Sequence, residues 1–594
     1  MKKRMLQRVI ATGMVAAMTV SMTACGGSSD SGNAGSGSNA AVGGGSTESV
    51  SGAEGGNEIQ SDRTVNLSAI QNLVPEVSTQ YANSAKVKHP SITLCANGDP
   101  GNLQPIETQT SGKEILDTFF ERLYVIDGFG GELLPAIAES GVVDTGEQDA
   151  DGNYIYTIKI RENVYDSDGN HLTASDVAYS YDYLMEKSVP HNMEKFVSVE
   201  AQDEYTVAFH CKKLDGVSDE GNLFAQQWIF TEAAEKAHDF ANDPVGTGPY
   251  VVTNYTAGSS VTLEAREDYW AEGQDYQLAR YCANVQTITY VIMGEASQQA
   301  NALRTGEVAY SNSISETDLA DFLDMGDGAV GQYSDAYVVY PYKDNLTFYL
   351  APNCDSASQC SDINLRKAIM YAIDGATIAL ASGNSTSEVV YDVFNSKFPE
   401  YRDSWKTEDN FYNNPSLETA AEYLAQSSYD GSELVLLTMS APPSCQNVAT
   451  VIATVLQGIG INVKLQIEEG STMNSVQENP SNWDLCIAMM AADDYGVVDI
   501  SRLYSEGSYG ADRGSINFIH DEKLQELIAT ANSVAGHTDE NTQELHDYLI
   551  ENAYGRGLFC TTTFNVLTSD VEQISMSFKF LIMPGGCIYS DNEW

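Results

Sequence analysis

The sequence predicts a mixed α/β protein of two or three domains. Three observations lead there: the length of chain beyond an N-terminal leader, a strand, turn and helix unit near residue 160, and a strand, helix and strand run after residue 433. From residue 88 to Trp594 roughly 500 residues remain, more than one hydrophobic core organises and enough for two or three domains.

In the first unit, Tyr154, Tyr156, Ile158 and Ile160 alternate with Ile155, Thr157, Lys159 and Arg161, the two-residue period of a half-buried strand spanning 153–162. Residues 166–170 read as a turn. Thr173-Ala174-Ser175-Asp176 is a capping-box start, and Val177, Tyr181 and Leu184 lay an apolar stripe along the helix that follows. In the second run, 433–439 is a compact apolar strand, 447–457 a helix rich in Val, Ile, Ala and Leu, 461–467 a strand, and 485–490 another strand. The region 342–554 is therefore expected to be an α/β domain whose helices cover a largely parallel sheet.

The leader reads as an export signal. Lys2, Lys3, Arg4 and Arg8 precede an apolar stretch, 9–22, that is too short to remain as a membrane-spanning helix. Met22-Thr23-Ala24-Cys25-Gly26 then resembles a lipobox, so residues 1–24 are expected to be removed and Cys25 to be lipidated. The next thirty residues are dominated by Gly, Ser, Asn and Ala, which bury no core and make a flexible tether, placed over 25–87 with ordered structure from about Lys88. Residues 60–87 carry scattered apolar positions that fit either a linker or a short helix.

Charge narrows the partners. The chain holds 83 acidic against 31 basic residues, a formal net charge of −52, which argues against nucleic acid and disfavours strongly anionic solutes. Apart from Cys25 there are nine cysteines, an odd number without a CxxC pair, so at least one stays a thiol in the monomer. Cys354 and Cys360, across a short polar loop, are the pair that proximity favours, with buried free thiols the equal alternative. No HExxH, GxSxG or local Cys-His signature supports hydrolase chemistry. Gly246-Thr247-Gly248 lacks both the Lys-Ser/Thr of a phosphate loop and a third glycine, and reads as a tight turn in which glycine allows positive φ.

Several segments, in one order, resemble the family 5 extracellular solute-binding proteins, which include oligopeptide-, dipeptide- and nickel-binding components of ABC importers. They are Asp99-Pro100-Gly101-Asn102-Leu103-Gln104-Pro105, which is similar to the family's opening loop, and 119–127, similar to its first helix and exit strand. Residues 156–161 with 168–177, then Asp243-Pro244-Val245-Gly246-Thr247-Gly248-Pro249-Tyr250 with Asp268-Tyr269-Trp270, and 364–374 complete the series. The resemblance implies a two-lobed periplasmic-binding-protein-like fold with an extra subdomain, three domains with a discontinuous first lobe. On that reading 88–124, 241–341 and 561–594 form lobe I, 125–240 the extra subdomain, and 342–560 lobe III. Ligand would lie between the lobes, and hinge closure would be what the importer reads.

The same resemblance implies a site. In peptide-binding relatives an aspartate followed by tyrosine pairs with the peptide's α-ammonium, and here Asp493-Asp494-Tyr495 after the 485–490 strand carries that pattern, with Asp494 the better match. A buried carboxylate facing a buried ammonium recovers part of both desolvation costs. Gln109 and Ser111 match positions that hold ligand backbone, and Phe394 and Trp405 flank a pocket-lining stretch. The expected protein is thus a surface-exposed, lipid-anchored monomer that uses no cofactor or metal, is not an enzyme, and hands a peptide or similar-sized solute to ABC permease subunits. An oligosaccharide ligand, a peptide-sensing role and a surface hydrolase are the alternatives.

Overall fold

Tyr337–Pro352 and Arg556–Thr568, rich in Tyr, Val, Phe and Thr, have the β-branched and aromatic composition of long strands. They pair antiparallel from Tyr337↔Thr568 to Leu350↔Arg556. The computed structural model describes residues 77–78 and 83–594, apart from 107–111, 127–129, 188–192, 325–331, 334–335, 385, 492–493, 507–514 and 578–581. Both long strands lie in the middle of one eleven-stranded sheet. Beyond Arg556–Thr568 come Tyr310–Ser311, His89–Ala96, Val285–Ile292, Ser260–Ala265 and Tyr250–Thr256; beyond Tyr337–Pro352 come Leu485–Ala491, Leu434–Met439 and Val463–Glu468.

The strand, helix and strand run folds as its pattern indicates. Leu434–Met439 pairs parallel with both Val463–Glu468 and Leu485–Ala491, and the helix Pro443–Gly458 makes the crossover. The sheet here is less parallel than expected, because Leu485–Ala491 meets Tyr337–Pro352 antiparallel. The two long strands are not part of any crossover unit, so nothing constrains them to run with the others. Alternate residues feed two different cores: Leu436, Phe348, Leu350 and Ile487 pack on one face, and Leu437, Tyr349, Ala351 and Cys486 on the other. Burial on both faces explains why these strands read as continuous apolar runs.

Arg556 fastens the start of its strand to this region. Its guanidinium is buried, donates to the carbonyls of Met370 and Phe411 at 2.8 and 2.9 Å, and lies over the rings of Phe411 and Tyr412. Burial lowers its pKa to about 10, so it stays a cation at neutral pH.

A separate four-stranded antiparallel sheet, ordered Val143–Gln148, Tyr154–Lys159, Thr206–Cys211 and Phe196–Ala201, is covered by the helix Ala174–Lys187. The inward residues of the alternating strand, Tyr156, Ile158 and Ile160, share a core with Val177 and Tyr181 of the helix stripe, and Leu184 of that stripe is also buried. Asp176 accepts from the Thr173 backbone N–H at 2.8 Å, completing the capping box, and Asp166 accepts from the N–H groups of Asp168 and Asn170 to close the turn.

The sequence landmarks meet around Glu121. This buried carboxylate accepts from Tyr269 Oη at 2.6 Å and Trp270 Nε1 at 2.7 Å, while burial pushes its pKa up to about 7. The neighbouring Gly246 and Gly248 do not have positive φ, contrary to the sequence reading. They are glycines because the backbone of Phe119 passes too close: a Cβ on Gly246 would stand 1.9 Å from the Phe119 carbonyl oxygen. The first helix, Lys113–Leu116, also ends before Phe119, whose carbonyl instead accepts from Gly248.

Two further expectations change. Ordered packing reaches back past Lys88: Ala85 is buried, Ser84 donates to Glu272 at 2.7 Å, and Val77–Ser78 pairs with Ile574–Ser575. The nine cysteines among the described residues are all thiols. Cys354 and Cys360 pack into different cores, which leaves the suggested bridge unmade. The leader, Cys25 and most of the tether lie outside the described residues.

Candidate functional site

Asp494 and Tyr495 follow the strand Leu485–Ala491 and precede the helix Gly496–Tyr504, at the C-terminal ends of the parallel strands. That edge of an α/β sheet is where crevices for ligands form. Asp494 is only 7% exposed. Its carboxylate accepts from Ser218 Oγ at 2.8 Å, and its backbone carbonyl accepts from the Gly130 N–H at 2.9 Å. A Cβ on Gly221 would stand 3.3 Å from Ile126 Cδ1 and 3.4 Å from Asp494 Oδ2, so this backbone passes close to the carboxylate.

Ser218, Gly130 and Gly221 belong to the stretch that carries the four-stranded sheet, whereas Asp494 belongs to the large sheet. The two are joined nearby. Gly216 bridges Ser533, with Val217 N–H donating to the Asn532 carbonyl at 3.0 Å and Val534 N–H to the Asp215 carbonyl at 2.7 Å. Lys195 braces the segment through Asp215 and Asp219 at 2.7 and 2.6 Å.

Beneath the loop lies a stack of aromatic rings. Gly496 rests on Phe394, where a Cβ would fall 2.7 Å from the ring. Phe394 packs edge-on to Trp405 at 5.8 Å, and Trp405 lies flat on the imidazole of His546 at 3.9 Å. Phe394 and Trp405 are each 1% exposed, and Trp405 Nε1 donates to Gln543 at 2.7 Å, so both rings act in this arrangement as the floor of the loop. From the side, buried Glu400 accepts from the N–H groups of Gly496 and Val497 at 3.1 and 3.3 Å. Tyr495 faces the ring of His537 at 5.3 Å, and burial, then the charges of Asp494 and Glu400, raise its pKa.

The structure thus brings together Asp494, Tyr495, Phe394 and Trp405. Asp493, Gln109 and Ser111 lie outside the described residues. Sequence reading missed Ser218, Gly130, Glu400 and His537. Each sits far along the chain from Asp494 in a segment without a motif, and only the Ser218-Asp219 pair, a helix N-cap pattern, offered a local signal. Among the described residues no group of three or more His, Cys, Asp or Glu side chains is arranged to hold a metal ion, and no helix is long and apolar enough to cross a membrane.

Comparison with known proteins bears on what such a site does. The profile of the family described as "Bacterial extracellular solute-binding proteins, family 5 Middle" matches residues 132–510. The oligopeptide-binding protein AppA of Bacillus subtilis is 26% identical over 381 residues, covering 58% of this chain and 63% of AppA. The chain therefore spans somewhat under two thirds of that relative. The structure of Bacillus subtilis AppA in complex with a nonapeptide superposes with a TM-score of 0.61 at 19% identity, over 85% of this chain and 100% of that one. NikA from Brucella suis in complex with Fe(III)-EDTA gives 0.67 at 20% identity, over 84% and 100%. At these identities the structures establish the shared two-lobed fold.

The floor of the loop carries a pH dependence. His546 is 1% exposed, with Nδ1 2.6 Å from Asp392 Oδ2 and Nε2 3.4 Å from Glu408 Oε2. Burial alone would lower its pKa, but the Asp392 hydrogen bond and charge, with Glu408 and Asp547, outweigh burial and raise it above its ordinary 6.5. A folded-state pKa above the unfolded one means that the contribution is complete below about 6.5 and is lost as pH rises through the raised value. Denaturant unfolding should show stability falling across that interval, with a shallower slope for His546→Gln. Equal slopes would contradict the assignment.

Proposed function

The chain belongs to the family 5 bacterial extracellular solute-binding proteins, and from that premise we propose that it captures peptides by their free amino terminus and delivers them to the permease subunits of an ABC importer. Membership places it among binding proteins rather than hydrolases. The observation that carries the peptide reading is Asp494: a buried carboxylate at the strand ends, between the two sheets, flanked by tyrosine and fixed from several sides. A peptide ammonium is the ligand group whose charge and hydrogen-bonding capacity such a carboxylate matches. The peptide-binding names of AppA and its bound nonapeptide point the same way.

Closure would work through the long strands. Lobe I is assigned to 88–124, 241–341 and 561–594, the extra subdomain to 125–240, and lobe III to 342–560. In support, the ladder between the two strands loses register between Lys343 and Thr347, opposite Thr562 and Cys560. A bulge in a two-strand crossing is a place where φ and ψ change with little loss of packing. Asp493, Tyr495, Gln109 and Ser111 are retained as ligand-side residues, and Phe394 and Trp405 support the loop from below. Upstream, the lipobox at Cys25 and the Gly/Ser-rich tether give a monomer held at the outer face of the cytoplasmic membrane.

Two measurements follow. Wild type expressed in a bacterium should partition into detergent with a lipid mass on Cys25, and Cys25→Ala should not; equal recovery of both in the soluble fraction would contradict the anchor. Asp494→Asn should bind peptides with a free amino terminus about 2–5 kcal/mol more weakly, roughly thirty-fold to several-thousand-fold, and bind their N-acetylated forms nearly as wild type does. Calorimetry with both proteins and both peptide forms isolates the charge contribution. Equal affinity of the two proteins for the free peptide would remove Asp494 from the site.

A further inference from the structure

The helix Gly496–Tyr504 begins immediately after the Asp494-Tyr495 pair, and its N-cap residue, Tyr495, makes no side-chain capping bond. The first N–H groups of a helix have no partner within it and need one from elsewhere when buried. Here the partner comes from 96 residues away. Glu400, 3% exposed, sends one carboxylate oxygen to each of two consecutive amides: Oε2 to Gly496 at 3.1 Å and Oε1 to Val497 at 3.3 Å. His537 closes the other side, with Nε2 3.7 Å from Glu400 Oε1 and its ring against Tyr495. A negative charge at this end of a nine-residue helix is also favoured by the helix dipole.

Resting on the reading of Asp494 as the ammonium partner, we propose that Glu400 is a positioning residue for ligand capture, holding the Asp494 carboxylate in place by clamping the two amides that follow it. On its other side the loop is held by the Gly130 N–H on the Asp494 carbonyl and by Ser218 Oγ on the Asp494 carboxylate. Gly496 lies against Phe394, where a Cβ would fall 2.7 Å from the ring, so packing sets how closely the backbone approaches. The two Glu400 bonds fix the direction of the amides that follow Asp494, and with it the direction in which the chain leaves that carboxylate. Both oxygens are required. A carboxamide has one acceptor oxygen, and its NH₂ group would face an amide N–H, leaving one buried donor unpaired.

A residue that merely supports the fold would weaken every ligand alike, whereas one that aims Asp494 should matter only when an ammonium is present. The test compares wild type, Glu400→Gln, Asp494→Asn and the double variant by calorimetry, using one peptide in free and N-acetylated form. Glu400→Gln should lose about tenfold in affinity for the free peptide and less than about twofold for the acetylated one. In the Asp494→Asn background the same change should have no effect on either. Equal losses on both peptides, no loss, or an undiminished loss in the double variant would each overturn the proposal. If Asp494→Asn itself fails to distinguish the peptides, the ammonium reading falls and this proposal with it. A selective Asp494→Asn beside a non-selective Glu400→Gln removes only the role of Glu400. Should Glu400→Gln not fold, amide exchange in wild type decides. Protection at Gly496 and Val497 that deepens with the free peptide and not with the acetylated one supports the clamp, and fast exchange at both amides overturns it.

Discussion

The antiparallel ladder between Tyr337–Pro352 and Arg556–Thr568 is the constraint on which the other elements depend. One end of the pair carries Tyr310–Ser311, through which the strands His89–Ala96 and Val285–Ile292 are reached, and the other end carries Leu485–Ala491 and the parallel strands behind it. Because the two strands are hydrogen bonded along nearly their whole length, both halves of the sheet must be oriented through them. Between Lys343 and Thr347 three residues on one strand stand opposite one on the other, a larger interruption than the shift that follows between Phe348 and Tyr349.

A second constraint is electrostatic. In a chain with net charge −52, burying more carboxylates is costly unless each is given donors. Several interior acids have them. Glu121 has Tyr269 and Trp270; Asp117 has Arg122 at 2.6 Å and Trp228 Nε1 at 2.8 Å; Asp392 has His546; Glu400 has two backbone amides. Asp494 differs in where it sits, between the two sheets, with Ser218 Oγ on its carboxylate. A carboxylate in that position suits a ligand that brings its own hydrogen-bond donors.

Periodic pattern made the local elements legible. The alternation from Tyr154 to Ile160, the capping box at Thr173 and the apolar strands around residues 434–490 all fold as read, since each depends on residues a few positions apart. The sheet's mixed character was not legible, because the direction in which Tyr337–Pro352 meets Leu485–Ala491 is decided by pairing across more than a hundred residues. Gly246 shows the same limit: its need for a missing Cβ comes from Phe119, not from its own φ. At the site, Asp494-Tyr495 stood out through resemblance, while Glu400 and His537 carry no local signal, Ser218 only that of a helix N-cap, and all three become visible as neighbours only when folding sets them around the loop.

The central claim is that the site at Asp494 takes a peptide by its amino terminus. Native mass spectrometry of the protein purified without added ligand, followed by release and sequencing of whatever solute accompanies it, tests this most directly. The account predicts short peptides with unblocked amino termini in wild type and their depletion from Asp494→Asn. Recovery of an oligosaccharide, a metal chelate or amino-blocked peptides from wild type would contradict it.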